Sequence, residues 1–272
     1  MQTPFLPTTL TFEAEAEVAT IMLRRPDARN ALSRLMAQEL LDCIDRVREG
    51  SGIRAVVLTG AGGHFCAGGD MRAVSSDDGR SVADRLEAMD LYGRLASELM
   101  NLGIPVVAAV DGVAYGAGFS LALLCDIVLV TPRARLCMVF HRMGRIPDLA
   151  ALYTLPRIVG VRRAKDLVLS AREIDAHEAL RIGVATEIVA AEGLSARAHA
   201  IAAALARGPA LAMRVSKQAL NQSLDSSFET LLQIEAAGQA VASASDFGKE
   251  AARRFVAKQA PLFQWPLAER SE

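Results

Sequence analysis

Two glycine-rich segments, each directly behind a short apolar run, constrain the fold of this chain more than any other feature. Arg54-Ala55-Val56-Val57-Leu58-Thr59 leads into Gly60-Ala61-Gly62-Gly63-His64-Phe65-Cys66-Ala67-Gly68-Gly69-Asp70. Val106 to Val110 leads into Gly112-Val113-Ala114-Tyr115-Gly116-Ala117-Gly118-Phe119-Ser120. A short β-rich run ending in glycine reads as a buried strand feeding a loop. Glycine in such a loop permits unusual dihedrals and lets a ligand approach without a Cβ in the way. Free backbone N–H groups at a helix start suit an oxygen that gains negative charge, and two such loops can aim one N–H each at a single oxygen.

The rest of the chain reads as further α/β elements. Residues 8–24 alternate as two short strands joined by the acidic turn at Glu13–Glu17. Ser33 to Arg48 places Met36, Leu40, Cys43, Ile44 and Val47 on one helical face, with Ser33 as the cap. A polar loop at Ser75–Arg80 precedes a helix marked by Leu86, Met89, Tyr92, Leu95 and Leu99. Gly116 to Leu124 is helix-compatible, and Asp126 to Thr131 and Leu136 to Phe140 read as strands. Beyond Asp148 the patterns are almost wholly helical, with breaks at Gly160, Gly183, Gly208 and Pro209. The expectation is an α/β core over 1–195 and a helical C-terminal region over 196–272.

Bulk properties bound the function. With 272 residues, 51% of them hydrophobic, the chain can bury a substantial core. Thirty basic against 31 acidic residues leave a net charge of -1, so no global field draws nucleic acid or an anionic membrane. Local basic clusters at Arg24, Arg25 and Arg29 and at Arg253, Arg254 and Lys258 are solvated surface or a site for a phosphorylated ligand. Cys43, Cys66, Cys125 and Cys137 show no metal-like spacing and read as buried thiols of a reducing compartment. With no secretory pattern at the N-terminus and no run long enough to span a bilayer, a cytoplasmic location is expected. Gly60 and Gly62 share the G-x-G of a dinucleotide fingerprint, but Phe65 stands where its third glycine belongs.

The two glycine segments, with Arg25-Pro26, Asn30-Ala31-Leu32-Ser33 and Cys125-Asp126, resemble the crotonase (enoyl-CoA hydratase/isomerase) superfamily across residues 18–265. The resemblance implies a coiled ββα spiral core. It places Gly69 and Ala117 at the two N–H donors of an oxyanion hole for the thioester carbonyl of an acyl-CoA. Ala67, Gly68, Gly116, Ser120 and Phe140 then become candidate substrate contacts. Coenzyme A enters as part of the substrate, with no tightly bound cofactor and no metal. Lys249 to Lys258, followed by Pro261-Leu262-Phe263, resembles the closing helix of that family. Such a helix covers the site, often from a neighbouring subunit in a trimer or dimer of trimers, and Arg29 and Lys258 become candidates for the CoA phosphates.

Within the family, hydratases hold a water molecule between two glutamates. The matching positions here are Ser120 and Phe140, neither of which can act as a carboxylate base. Asp148, in Gly144-Arg145-Ile146-Pro147-Asp148, matches the aspartate of several family isomerases, and single-aspartate enoyl-CoA isomerases are the nearest in motif. Read from sequence alone, Asp148 is equally a helix N-cap before Leu149-Ala150-Ala151-Leu152-Tyr153. An apolar surround of Ile146, Leu149 and Phe140 would raise its pKa and make it a better base.

Other residues carry weaker alternatives. Tyr153, Arg157-Ile158-Val159-Gly160 and Arg162-Arg163-Ala164 resemble 4-chlorobenzoyl-CoA dehalogenase. That enzyme's histidine before the second glycine loop and its tryptophan at the Phe140 position are both missing here. His141 is expected to turn away from Phe140 by strand alternation, His64 to be exposed in its loop, and Asp70 and Asp126 to be structural. Gly118-Phe119-Ser120-Leu121-Ala122 falls one residue short of a nucleophile elbow, so a Ser120 thioesterase stays open, as do a hydratase with a substitute water-activating residue and a catalytically silent acyl-CoA binder. Phe119, Phe140, Tyr92 and Met143 suggest an apolar pocket.

Overall fold

The computed structural model of the chain describes residues 6–50, 52–71 and 81–267. Strands β1 (Leu10–Glu15) and β2 (Val18–Leu23) form an antiparallel hairpin that turns at Ala16, whose φ is +52°. β3 (Ala55–Gly60), β4 (Val106–Val110), β6 (Ile127–Val130) and β9 (Glu187–Ile188) extend it in parallel, giving the sheet order β1-β2-β3-β4-β6-β9. A second sheet takes β5 (Val113–Tyr115), β7 (Arg135–Cys137) and β8 (Glu173–Asp175). The main chain steps from one sheet to the other at Gly112, where φ is +57° and an added Cβ would lie 2.3 Å from the Gly63 carbonyl.

Helices α1 (Arg34–Glu49), α2 (Val82–Met100), α3 (Ala117–Leu123), α4 (Ala151–Val159), α5 (Val161–Ser170), α6 (Ala176–Arg181) and α7 (Leu194–Ala206) alternate with these strands. β4, β5 and α3 form one ββα turn, and β6, β7 and α4 form the next. A parallel bridge between Cys66 and Ala114 ties the loop after β3 into the same pattern. This is the coiled ββα core that the sequence motifs imply.

The central strands β3, β4 and β6 of the main sheet are apolar on both faces because both faces are covered. Val56, Leu58, Val106, Ala108, Val110, Val128 and Val130 belong to the large core shared with α1 and α2. Ala55, Val57, Val107, Ala109 and Leu129 point the other way and meet Leu194, Ala198, Ile201, Ala202 and Ala206 of α7. The boundary expected at 195 therefore falls inside α7, a helix that covers the sheet. Helices α8 (Ala210–Gln222), α9 (Phe228–Ala244) and α10 (Asp246–Val256) follow, and none carries a buried residue.

α1 begins as its sequence requires, with Ser33 accepting from the Met36 N–H at 3.1 Å. Its Glu39 is buried and takes hydrogen bonds from the backbone and hydroxyl groups of Thr8 and Thr9. Burial alone would raise its pKa, but those donors hold it below the usual carboxylate range.

Some expectations are corrected. The strand expected over Leu136 to Phe140 ends at Cys137, and Phe140 and His141 sit in a 3-10 turn at Val139–Met143. His141 is exposed, though strand alternation is not the reason. The two-residue β9 and three-residue β8 are too short to leave a period in the sequence. Leu95 and Leu99 of α2 are buried, whereas Leu86 and Met89 face outward. The polar loop expected at Ser75–Arg80 lies outside the described residues. Among the described residues, no helix is long and apolar enough to cross a membrane.

Candidate active site

The two glycine loops lie against each other, held by backbone. The Cys66 N–H donates to the Val113 carbonyl at 3.0 Å, and the Tyr115 N–H donates to the Cys66 carbonyl at 2.9 Å. A Cβ on Gly68, whose φ is +103°, would lie 2.9 Å from the Tyr115 carbonyl oxygen and 3.9 Å from the Ala117 nitrogen. One on Gly118 would lie 2.2 Å from the Cys66 carbonyl oxygen. Side chains at these positions would push the loops apart, so glycine here serves a close backbone approach. Among the described residues, no acceptor uses the N–H of Gly69 or of Ala117. Both loops thus present a spare donor, and the space beside Gly69 is open.

The segment from Arg24 to Ser33 cradles the first loop. Asn30 is fully buried in a left-handed conformation, and its side-chain amide donates to the carbonyls of Ala61 (2.8 Å) and His64 (2.7 Å). The Ala67 N–H donates to the Arg29 carbonyl at 2.9 Å. Asp70 is paired with Arg25 at 2.6 Å, the structural role expected of it. Asp126 accepts from the Val106 N–H and from Lys217, likewise a tie within the fold. His64 departs from its expected exposure. It is half-buried, and its Nδ1 accepts from the Val113 N–H at 3.3 Å, linking the first loop to β5.

Asp148 does not cap α4. The capping position is Ala150, with no side-chain hydrogen bond, and Leu149 and Ala150 both take left-handed dihedrals. Two consecutive non-glycine residues in this region store strain of the kind found at functional sites. Oδ1 of Asp148 is buried without a hydrogen-bond partner. Burial pushes its pKa up to about 6, with the Arg145 charge and the residue's own backbone N–H opposing. Its charge is felt by Cys66 in the first loop, whose thiol burial pushes up to about 11. It is also felt by Tyr92 on α2, whose phenol is raised by burial first and by Asp148 second. The carboxylate therefore lies within electrostatic reach of Tyr92 on α2 and of Cys66 in the first loop.

The remaining candidates divide. Gly116, at φ +49°, donates its N–H to the Cys137 carbonyl at 2.8 Å, and a Cβ there would lie 3.6 Å from the Phe140 ring. Phe140 thus backs the second loop from a nearly buried position. Ala67 and Gly68 line the first loop. Ser120 has no exposure, and its hydroxyl donates to the Gly116 carbonyl at 3.2 Å, so the structure does not present it as a substrate contact or nucleophile. Phe119 is also wholly buried, and Met143 is exposed. Arg29 is exposed beside the first loop. Lys258 is exposed beyond α10, and no hydrogen bond or ion pair among the described residues joins it to either loop. Tyr92 is the group whose relation to Asp148 the sequence did not reveal, because the two are brought together only by tertiary packing. All four cysteines are free, and burial raises every thiol pKa, which disfavours the thiolate form at each. No group of three potential ligands that could hold a metal occurs among the described residues.

Comparisons with known proteins show the family and the fold. The family model described as enoyl-CoA hydratase/isomerase matches residues 13–266. A 1,2-epoxyphenylacetyl-CoA isomerase of Escherichia coli K12 is 35% identical over 250 residues, covering 92% of this chain and 95% of the relative. A short-chain-enoyl-CoA hydratase of Clostridium acetobutylicum is 32% identical over 251 residues, covering 91% and 94%. A crystal structure of an enoyl-CoA hydratase/isomerase from Cupriavidus metallidurans CH34 superposes with a TM-score of 0.93 at 39% identity, covering 97% of this chain and all of that one.

Proposed function

We propose that this chain, which belongs to the enoyl-CoA hydratase/isomerase family, shifts a double bond along an enoyl-CoA with Asp148 as its single acid/base. The carrying observation is the Asp148 carboxylate, buried with an unpartnered oxygen and within electrostatic reach of Cys66 in the first loop. The thioester oxygen would sit between the N–H groups of Gly69 and Ala117. With a 3-enoyl-CoA, Asp148 takes a proton from C2. The C–H electron pair flows into the thioester, giving a dienolate whose oxygen the two donors stabilise. The protonated Asp148 then returns the proton at C4, leaving the double bond between C2 and C3. Each preorganised donor is worth about 3 kcal/mol of barrier. A base whose pKa lies about one unit below neutrality is ionised when needed and still basic enough to accept a carbon-bound proton.

Hydration is the second reading, favoured by the Clostridium relative's name. It requires a group to orient water, and Ser120 and Phe140, which match the hydratase glutamates, offer a buried hydroxyl and a ring. The burial of Ser120 weighs against the thioesterase. For the CoA phosphates we propose the exposed Arg24 and Arg29 of the segment before the first loop, with Lys258, just beyond α10, supplied by a neighbouring subunit in a trimer or hexamer.

The test follows a 3-enoyl-CoA and a 2-enoyl-CoA by chromatography of the CoA products. Conversion of the 3-enoyl to the 2-enoyl thioester by the wild type, lost in Asp148→Asn, is expected. Hydration of the 2-enoyl thioester that survives Asp148→Asn would overturn the assignment. Tight binding of both thioesters with no turnover of either would favour the silent binder.

A further inference from the structure

Gly69 has no side chain through which to be held, yet an oxyanion donor must stay fixed to be worth its full effect. Its neighbours hold it. The Leu32 N–H donates to the Gly68 carbonyl at 2.7 Å, and the Asp70 N–H donates to the Leu32 carbonyl at 3.0 Å, so the residues before and after Gly69 are both stapled to Leu32. One further restraint acts on the far side. Arg25 directs Nη2 to the Asp70 carboxylate at 2.6 Å and Nη1 to the Ala31 carbonyl at 2.6 Å. Side-chain exposure is only 25% for Arg25 and 10% for Asp70, so water screens this pair weakly.

Arg25 is itself immobilised. Its N–H donates to Oδ1 of Asn30 at 2.8 Å, and its carbonyl accepts from the N–H groups of Ala28 and Asn30. The same Asn30 holds the other end of the loop through Ala61 and His64. Thus one guanidinium fork spans the cradle and the residue after the donor, a geometry a lysine ammonium cannot reproduce with both partners.

We propose that the Arg25–Asp70 ion pair is a positioning device for the Gly69 N–H, setting its aim at the thioester oxygen without touching substrate. This rests on the oxyanion reading of Gly69 and Ala117, and it assigns a catalytic consequence to a pair otherwise read as structural. It also removes Arg25 from the candidates for CoA phosphate binding, since both of its terminal nitrogens are engaged.

The test measures the carbonyl stretch of a bound 2-enoyl-CoA carrying ¹³C in its thioester carbonyl, by difference infrared spectroscopy, beside kcat and KM for the isomerisation. Wild type, Asp70→Asn, Arg25→Lys and Asp148→Asn are compared, each first checked for native near-ultraviolet dichroism. The wild type and Asp148→Asn should shift the band to lower wavenumber on binding. Asp70→Asn should lose half or more of that shift, with kcat about 10- to 100-fold lower and KM changed less than about threefold. Arg25→Lys should fall between, and it supplies the reading should Asp70→Asn not fold. A full shift with near-wild-type kcat in both variants would overturn the positioning role alone. Loss of KM and kcat in proportion with the shift intact would reduce the pair to a structural tie and overturn it as well. No shift in the wild type would overturn the oxyanion reading beneath it.

Discussion

A carboxylate with a buried, unpartnered oxygen keeps its proton to higher pH, as Asp148 does at about 6, because the charged form loses water and the Arg145 charge and its own backbone N–H offset that loss only in part. Two predictions follow from that one group. The first concerns rate. Only the ionised form can accept a proton, so kcat/KM should rise about tenfold per pH unit below 6 and level off above it, and Asp148→Asn should lower kcat by about 10²- to 10⁴-fold. A pH–rate profile of both proteins checks this. The second concerns stability. Between the ordinary aspartate value of 3.8 and about 6 the folded protein holds a proton that the unfolded chain has released, so stability falls as pH rises through that window. Asp148→Asn should therefore stabilise the fold at pH 8, by up to about 3 kcal/mol, and give no gain at pH 3. Thermal unfolding at the two pH values measures the difference. Asp148 was legible in the sequence as a motif position. Its freedom from capping was not, because that depends on Leu149 and Ala150 taking left-handed dihedrals and moving the helix start to Ala151.

At the scale of elements, pattern and outcome agree where a segment's own residues decide its structure. Ser33 caps α1 because its hydroxyl reaches the Met36 N–H, and the 3.6-residue spacing of Met36, Leu40, Cys43, Ile44 and Val47 buries one face. They part where tertiary contacts decide. The apolar run Leu136 to Phe140 reads as a strand, yet only Arg135–Cys137 has partners in β5 and β8, and beyond them the chain winds into a 3-10 turn. Glu39 looks like a surface glutamate on α1, but the incoming chain folds Thr8 and Thr9 over it. Its carboxylate is held below its usual pKa, so this contribution is present above the unfolded value near 4.5 and is lost as pH falls through the lower folded value. Glu39→Gln should destabilise the protein by about 1–3 kcal/mol at pH 7, with the penalty shrinking at pH 3. Chemical denaturation at both pH values tests it.

Across the whole molecule, the core is closed on both faces of the sheet while α9 and α10 leave apolar surface uncovered. Phe255 and Val256 are 84% and 82% exposed at the end of α10, and Phe228 and Val241 are exposed on α9. Apolar side chains left exposed in this way are available to a second copy of the chain. We therefore expect a trimer or hexamer by sedimentation velocity, and a smaller species for Phe255→Asp combined with Val256→Asp, with an unchanged far-ultraviolet spectrum. A monomeric wild type at micromolar concentration would contradict the expectation. The helical character of the C-terminal region was legible from composition and periodicity. The covering of the sheet by α7 was not, because a helix rich in alanine and leucine gives no sign of which surface it will meet.

The most direct test of the account is the fate of the migrating hydrogen. A 3-enoyl-CoA incubated in D₂O with the wild type should yield a 2-enoyl-CoA in which part of the product carries at C4 a hydrogen transferred from C2 of the substrate, as a single shielded carboxylate moves it from one carbon to the other; Asp148→Asn should yield none of this product. Mass spectrometry distinguishes the outcomes. Complete deuterium incorporation at C4, or an addition product of water formed equally by Asp148→Asn, would contradict the one-base mechanism.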